Sequence, residues 1–164
     1  AYEILRCLVG SEMCIRDSTD ALAFSALNKI QLKDFDKAYE QIQHALHHET
    51  NNDFMYFIAG KIRYLQGEIE DAKMYFVKSY ELQKTYDCEH MLGLCYFELG
   101  NFEQANGIFK HMLEKNPLNV NLLLNSAKCY EKLGEKDEAL RVLDKITDTF
   151  PECEEAQEMI REIS

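Results

Sequence analysis

Small residues and helix breakers recur along this chain at a nearly constant interval. Gly100 and Gly134 are 34 residues apart, as are Tyr96 and Tyr130, Ala105 and Ala139, Phe109 and Leu143, and Pro117 and Pro151. One step earlier, Gly60 and Gly93, Gly67 and Gly100, Ala72 and Ala105, and Phe76 and Phe109 are 33 apart. A further step back, Ala26 and Gly60, Ala38 and Ala72, Ile42 and Phe76, and Ala45 and Ser79 return to 34. A period of this length implies a stack of similar supersecondary units, each too small to bury its own apolar face and completed only by its neighbours.

Within one period the apolar residues follow helical spacing, as Leu92, Cys95, Tyr96 and Leu99 do, so each unit reads as amphipathic helices. Gly60, Gly93, Ala26 and Ala127 lie midway along a first helix, where a small side chain lets a second helix approach. Ala38, Ala72, Ala105 and Ala139 do the same from the second helix. Gly67, Gly100 and Gly134 supply the left-handed residue that ends a helix, and Pro117 and Pro151 close a unit because proline is excluded from helix interiors. Composition agrees: 46% hydrophobic residues rule out disorder, and two Pro and seven Gly in 164 residues are too few for an all-β sandwich.

This pattern resembles the tetratricopeptide repeat, whose signature runs Trp, Leu-Gly, Tyr, Ala, Phe, Pro. The third copy carries it most fully, in Leu92-Gly93, Tyr96, Gly100, Ala105, Phe109 and Pro117. The resemblance implies an all-α fold, a right-handed α-solenoid of four helix-turn-helix hairpins at 19–52, 53–85, 86–119 and 120–153. A capping helix at 154–163 would turn Ala156, Met159, Ile160 and Ile163 inward and Glu155, Glu158 and Arg161 outward. There are departures. Leu22, Tyr56, Glu89 and Leu123 stand at the Trp position, Lys29 and Arg63 replace the Tyr, and Lys33 and Thr50 stand where repeat one would show Gly and Pro.

Residues 1–18 share neither period nor composition with the rest and closely resemble the translation of a sequencing-library adapter. Ala1, Tyr2, Glu3 and the residues from Cys7 to Ser18 follow that translation in register, with Leu5 and Arg6 in its variable index. The segment is therefore expected to be an artefact, and the natural N-terminus, with any signal peptide or upstream domain, to be missing.

The formal net charge of −11 repels phosphate backbones. No basic patch offsets it, so nucleic acid is not an expected partner, and neither is a membrane, since no apolar run approaches the roughly 18 residues of a spanning helix. A cytoplasmic protein is expected. No phosphate-binding loop, nucleophile elbow or His-Glu-x-x-His zinc motif is present. His44 and His48 are one helical turn apart beside His47, but two imidazoles make a weak site, and a solvated helix face is the plainer reading. Cys95 and Cys129 share one repeat position and, like Cys88 and Cys153, lack zinc spacing, which suits reduced, packed thiols. Gly107, inside a second helix, reads as close packing. The acidic run of Glu152, Glu154, Glu155 and Glu158 reads as solvated surface. No catalytic residue, metal or cofactor is expected, and the chain is read as a non-enzyme.

In the resembling family, first helices line a concave groove. The corresponding positions here are Phe54, Phe57, Lys61, Tyr64 and Leu65 in repeat two; Asp87, His90, Leu94, Phe97 and Glu98 in repeat three; and Asn121, Leu124, Lys128, Glu131 and Lys132 in repeat four. Phe54, Phe57, Tyr64 and Phe97 serve equally as interhelical core. A subset of the family grips a C-terminal carboxylate with Lys, Asn and Arg, but Ala23, Leu27 and Asp87 occupy those places here and Asn125 alone matches, so that clamp is rejected. The expected function is a scaffold that binds a protein or peptide segment in the groove, with Phe54, Phe57, Tyr64, Leu94 and Phe97 as apolar anchors and Lys61 and Lys128 reading acidic groups at the edges. The alternatives are a regulatory or targeting module of a longer enzyme whose catalytic domain is absent from this chain, and a self-association spacer.

Overall fold

A computed structural model describes residues 12–48 and 51–163. Among them are nine α-helices and no strand: α1 Glu12–Gln31, α2 Phe35–His48, α3 Asp53–Gln66, α4 Ile69–Leu82, α5 Tyr86–Glu98, α6 Phe102–Lys115, α7 Val120–Leu133, α8 Lys136–Thr149 and α9 Glu154–Ile163. They fall into two compact units that divide after Lys84. The first holds hairpins α1–α2 and α3–α4; the second holds α5–α6, α7–α8 and the final helix α9. Helix α1, Glu12–Gln31, includes the last of the adapter-like residues as well as those from Thr19 on. The stretch from Glu12 to Ser18 contains no Pro or Gly, so nothing in it stops the helix from extending back into the adapter-like residues. Residues 1–11 and Thr50 lie outside the described residues.

Every hairpin corner uses the same backbone device. The left-handed residue donates to the carbonyl three residues back, and the next amide donates to the carbonyl five back. At Gly134 these bonds are 3.0 Å to Glu131 O and, from Glu135, 2.9 Å to Tyr130 O. The corner of repeat one closes identically, with Lys33 N 3.0 Å from Ile30 O and Asp34 N 2.9 Å from Lys29 O. Lys33 is forced to φ 59° by it, among the described residues the one non-glycine with positive φ. The first helices of hairpins two, three and four start on side-chain caps: Asn52 Oδ1 accepts from Met55 N, Thr85 Oγ1 from Cys88 N, and Asn119 Oδ1 from Leu122 N.

The cores follow a size rule written into the repeat. Gly60 sits against Phe76, and a Cβ built on it would lie 2.8 Å from the ring; on Gly93 it would lie 2.5 Å from Phe109. Repeats one and four carry Ala26 and Ala127 at this first-helix position, and there the second helix supplies the slimmer Ile42 and Leu143. All four of these large residues are fully buried. Each contributes about 1.5–3 kcal/mol by leaving water. Ala38, Ala72, Ala105 and Ala139 are also fully buried. In the second unit, the buried Ser126 hydroxyl donates to Asn106 Oδ1 at 2.6 Å, tying α7 to α6.

The Tyr-to-Arg departure at residue 63 has a packing reason. The Arg63 guanidinium lies 3.7 Å from the Tyr39 ring centroid, and Tyr39 in turn meets the Tyr75 hydroxyl at 2.7 Å. At the same repeat position, Tyr130 supplies the ring and Lys110 the cation, 5.0 Å away.

Candidate partner-binding surface

Three first-position helices of the second unit face one hollow. From α5 come His90 and Leu94, from α7 Asn121, Leu124, Asn125 and Lys128, and from α9 Glu155; together they line a depression of about 260 Å³. Helical spacing explains the set, because residues three and four apart share a face, and α9 continues the phase of α7, with Glu155 standing 34 residues after Asn121.

The polar groups of this hollow are largely engaged with each other. Lys128 Nζ lies 2.6 Å from Glu155 Oε1, bridging α7 and α9, with both side chains partly exposed. Asn125 Nδ2 lies 3.3 Å from His90 Nε2. The His90 ring rests on Phe109, centroids 6.1 Å apart. Burial pushes its pKa below the ordinary 6.5, against the opposing pull of Asp87. A neutral His90 accepts from the Asn125 amide. Leu94 and Leu124 add apolar surface to the lining.

The other nominated residues lie elsewhere. Phe97 is absent from this lining; it turns onto Phe102 at 5.2 Å in a T-shaped contact and joins the cluster around Phe109. In the first unit, Phe54 is 38% exposed. Phe57 is half-buried against Phe76, 5.6 Å between centroids, so it serves as interhelical core. Lys61 and Tyr64 are half-buried on α3. Lys128 is paired with Glu155 across α7 and α9. Glu155 is exposed, as expected of the outer face of the last helix, and its contact with Lys128 brings it to the hollow. The 34-residue step from Asn121 was the signal for it.

A family profile described as Tetratricopeptide repeat matches residues 96–163. This chain is a tetratricopeptide repeat protein. Among curated proteins, it is 32% identical over 112 residues to BBSome complex member BBS4 of Bos taurus, covering 68% of this chain and 21% of that one. It is 29% identical over 135 residues to the TPR repeat-containing protein MJ1428 of Methanocaldococcus jannaschii, covering 80% and 24%. The repeat protein thus spans between a fifth and a quarter of the length of these relatives. Among solved structures, a tetratricopeptide repeat protein from Parabacteroides merdae superposes with a TM-score of 0.81 at 20% identity, over 98% of this chain and 63% of that chain. YrrB, described as a TPR protein with an unusual peptide-binding site, gives 0.71 at 19% identity, over 87% and 82%. The fold class is therefore a tetratricopeptide helical array, and arrays of this family generally act as non-catalytic scaffolds for protein or peptide partners.

Elsewhere in the repeat protein, a second hollow of about 400 Å³ is lined by Glu89, Tyr96, Gln104, Gly107, Ile108 and His111. Here Gly107 is a correction: a Cβ on it would meet nothing within 4 Å, so close packing does not explain it. In this hollow His111 Nδ1 lies 2.6 Å from Glu89 Oε1. Cys88, Cys95 and Cys129 are buried, Cys153 is half-buried, none of the four is in a disulfide, and burial raises the pKa of Cys129 to about 12. No described helix is long and apolar enough to cross a membrane.

Proposed function

We propose that the protein binds an extended segment of a partner protein in the hollow formed by α5, α7 and α9. The observation that carries this reading is convergence: His90, Leu94, Asn125 and Lys128, each nominated by its place in the repeat, line one depression. Its small apolar area flanked by amides and a neutral imidazole suits a peptide, whose backbone needs donors and acceptors and whose side chains need a few apolar contacts. The aromatic positions of the first unit are secondary, since Phe57 is engaged with Phe76.

The test is site-specific photocrosslinking in source cells, with a benzophenone side chain placed at Leu94 or, for comparison, at Gln104 in the other hollow. The expected result is a partner adduct from position 94 that is absent from position 104 and is lost on His90→Ala/Asn125→Ala substitution in a protein of unchanged helicity. Adducts from position 104 alone would move the binding surface to the α5–α6 hollow.

A further inference from the structure

Building on the binding reading above, we infer that the segment received by this hollow is basic. Three observations converge. The first is the fate of the one cation that lines the hollow: Lys128 is committed to Glu155 at 2.6 Å, so the ammonium is largely neutralised before any partner arrives. A partner carboxylate reaching the remaining Lys128 donors would lie beside the Glu155 carboxylate and be repelled by it. A partner ammonium or guanidinium has no such conflict, because the Glu155 side chain is 51% exposed and a carboxylate accepts from two donors.

The second is a carboxylate beside one of the lining residues. Asp87 lies one turn before His90 on α5, is exposed, and is close enough to act electrostatically on that ring. Besides the Lys128–Glu155 pair, the polar lining consists of His90, Asn121 and Asn125, of which the two amides carry no charge and the imidazole has its pKa lowered by burial.

The third is the surrounding field. Residues 85–164 carry 16 Asp and Glu against eight Lys and Arg, whereas residues 19–84 carry ten against eight. Eight of the 11 net negative charges of the chain belong to residues 85–164, the unit with the hollow, and a concave surface of low dielectric focuses such a field on whatever enters it. The occupant that satisfies all three is an extended segment with Lys or Arg positioned to reach Asp87 and Glu155, and an aliphatic side chain between them on Leu94 and Leu124. This reverses the expectation that Lys128 reads acidic groups.

The experiment uses the full chain and three short fluorescein-labelled probe peptides in which Leu alternates with Lys, with Glu or with Ser. Binding is followed by fluorescence anisotropy at low and high salt, and the site by amide chemical-shift changes. The Leu/Lys probe is expected to bind at least about tenfold tighter than the Leu/Glu probe at low salt, and to lose that margin as salt rises. Asp87→Asn/Glu155→Gln should weaken the Leu/Lys probe about fivefold. Glu103→Gln/Asp144→Asn, which removes the same charge from exposed positions on α6 and α8, should change it less than about twofold. Circular dichroism checks that both variants remain folded.

Equal losses in the two variants would make the preference a property of the whole field, and the inference would fall. Tighter binding of the Leu/Glu probe, abolished by Lys128→Gln, would overturn the inference while leaving peptide binding in the hollow intact. If none of the three probes shifts the amides of His90, Leu94 or Asn125, the binding reading fails together with the inference built on it.

Discussion

Replacing Gly93 by Ala tests the size rule that sets how closely α5 and α6 pack. The new methyl would lie 2.5 Å from Phe109 Cε1 and 2.9 Å from Cζ. Phe109 is fully buried, with no solvent into which to swing. Overpacking of this kind costs about 1–3 kcal/mol, while Gly-to-Ala in a helix interior returns about 1 kcal/mol. Gly107→Ala is the internal reference, because the same replacement there meets nothing within 4 Å and should stabilise by about 0.5–1 kcal/mol. The difference between the two variants removes the propensity gain common to both and leaves the overpacking alone, about 1–3 kcal/mol. A second arm uses Phe109→Leu, which by itself loses part of the ~3–5 kcal/mol of a full Phe-to-Ala truncation. Combined with Gly93→Ala, it recreates the Ala127–Leu143 pair of repeat four, and the double variant should be more stable than the sum of the singles by about 1–3 kcal/mol. The assay is urea unfolding followed by circular dichroism. Additive singles, or a Gly93→Ala variant as stable as Gly107→Ala, would refute the complementarity argument.

Lys33→Gly should stabilise the first hairpin by about 1 kcal/mol, because the corner holds a side-chain-bearing residue at φ 59°; an unchanged thermal midpoint would count against strain at that corner. Ser126→Ala leaves the buried Asn106 carbonyl oxygen without its donor and should cost about 1–3 kcal/mol, whereas Ser126→Ala/Asn106→Leu should recover much of that loss; chemical denaturation of both variants decides. For His90, the folded pKa lies below 6.5, so the unfolded chain takes up its proton first as the pH falls. Its share of stability is whole above about 6.5 and is lost as pH drops through the depressed folded value. His90→Gln should therefore narrow its gap to wild type as the pH falls from neutral, and parallel stability-against-pH curves would show that His90 is not the group responsible.

By itself the sequence determined everything that repeats. Four hairpins, three of the four left-handed corners, the small residues at the helix crossings and the inward face of the final helix were all readable, because each reappears in phase and each answers to a local backbone or steric demand. The fourth corner shows the limit of residue identity: Lys33 adopts the left-handed conformation although nothing in its chemistry asks for it, since the hairpin around it closes only that way. Tertiary structure decided what depends on side-chain reach across the array. Lys128 finds Glu155 from 27 residues away, which offsets the positive charge that Lys128 alone would present. Phe97 shares a helix with His90 and Leu94, yet it turns onto Phe102. Phe57, which the repeat phase assigned to a groove, packs on Phe76. Period specifies where a side chain leaves the backbone; which neighbour it meets is settled only when the long, flexible side chains of adjoining helices compete for the same charges and the same apolar surface.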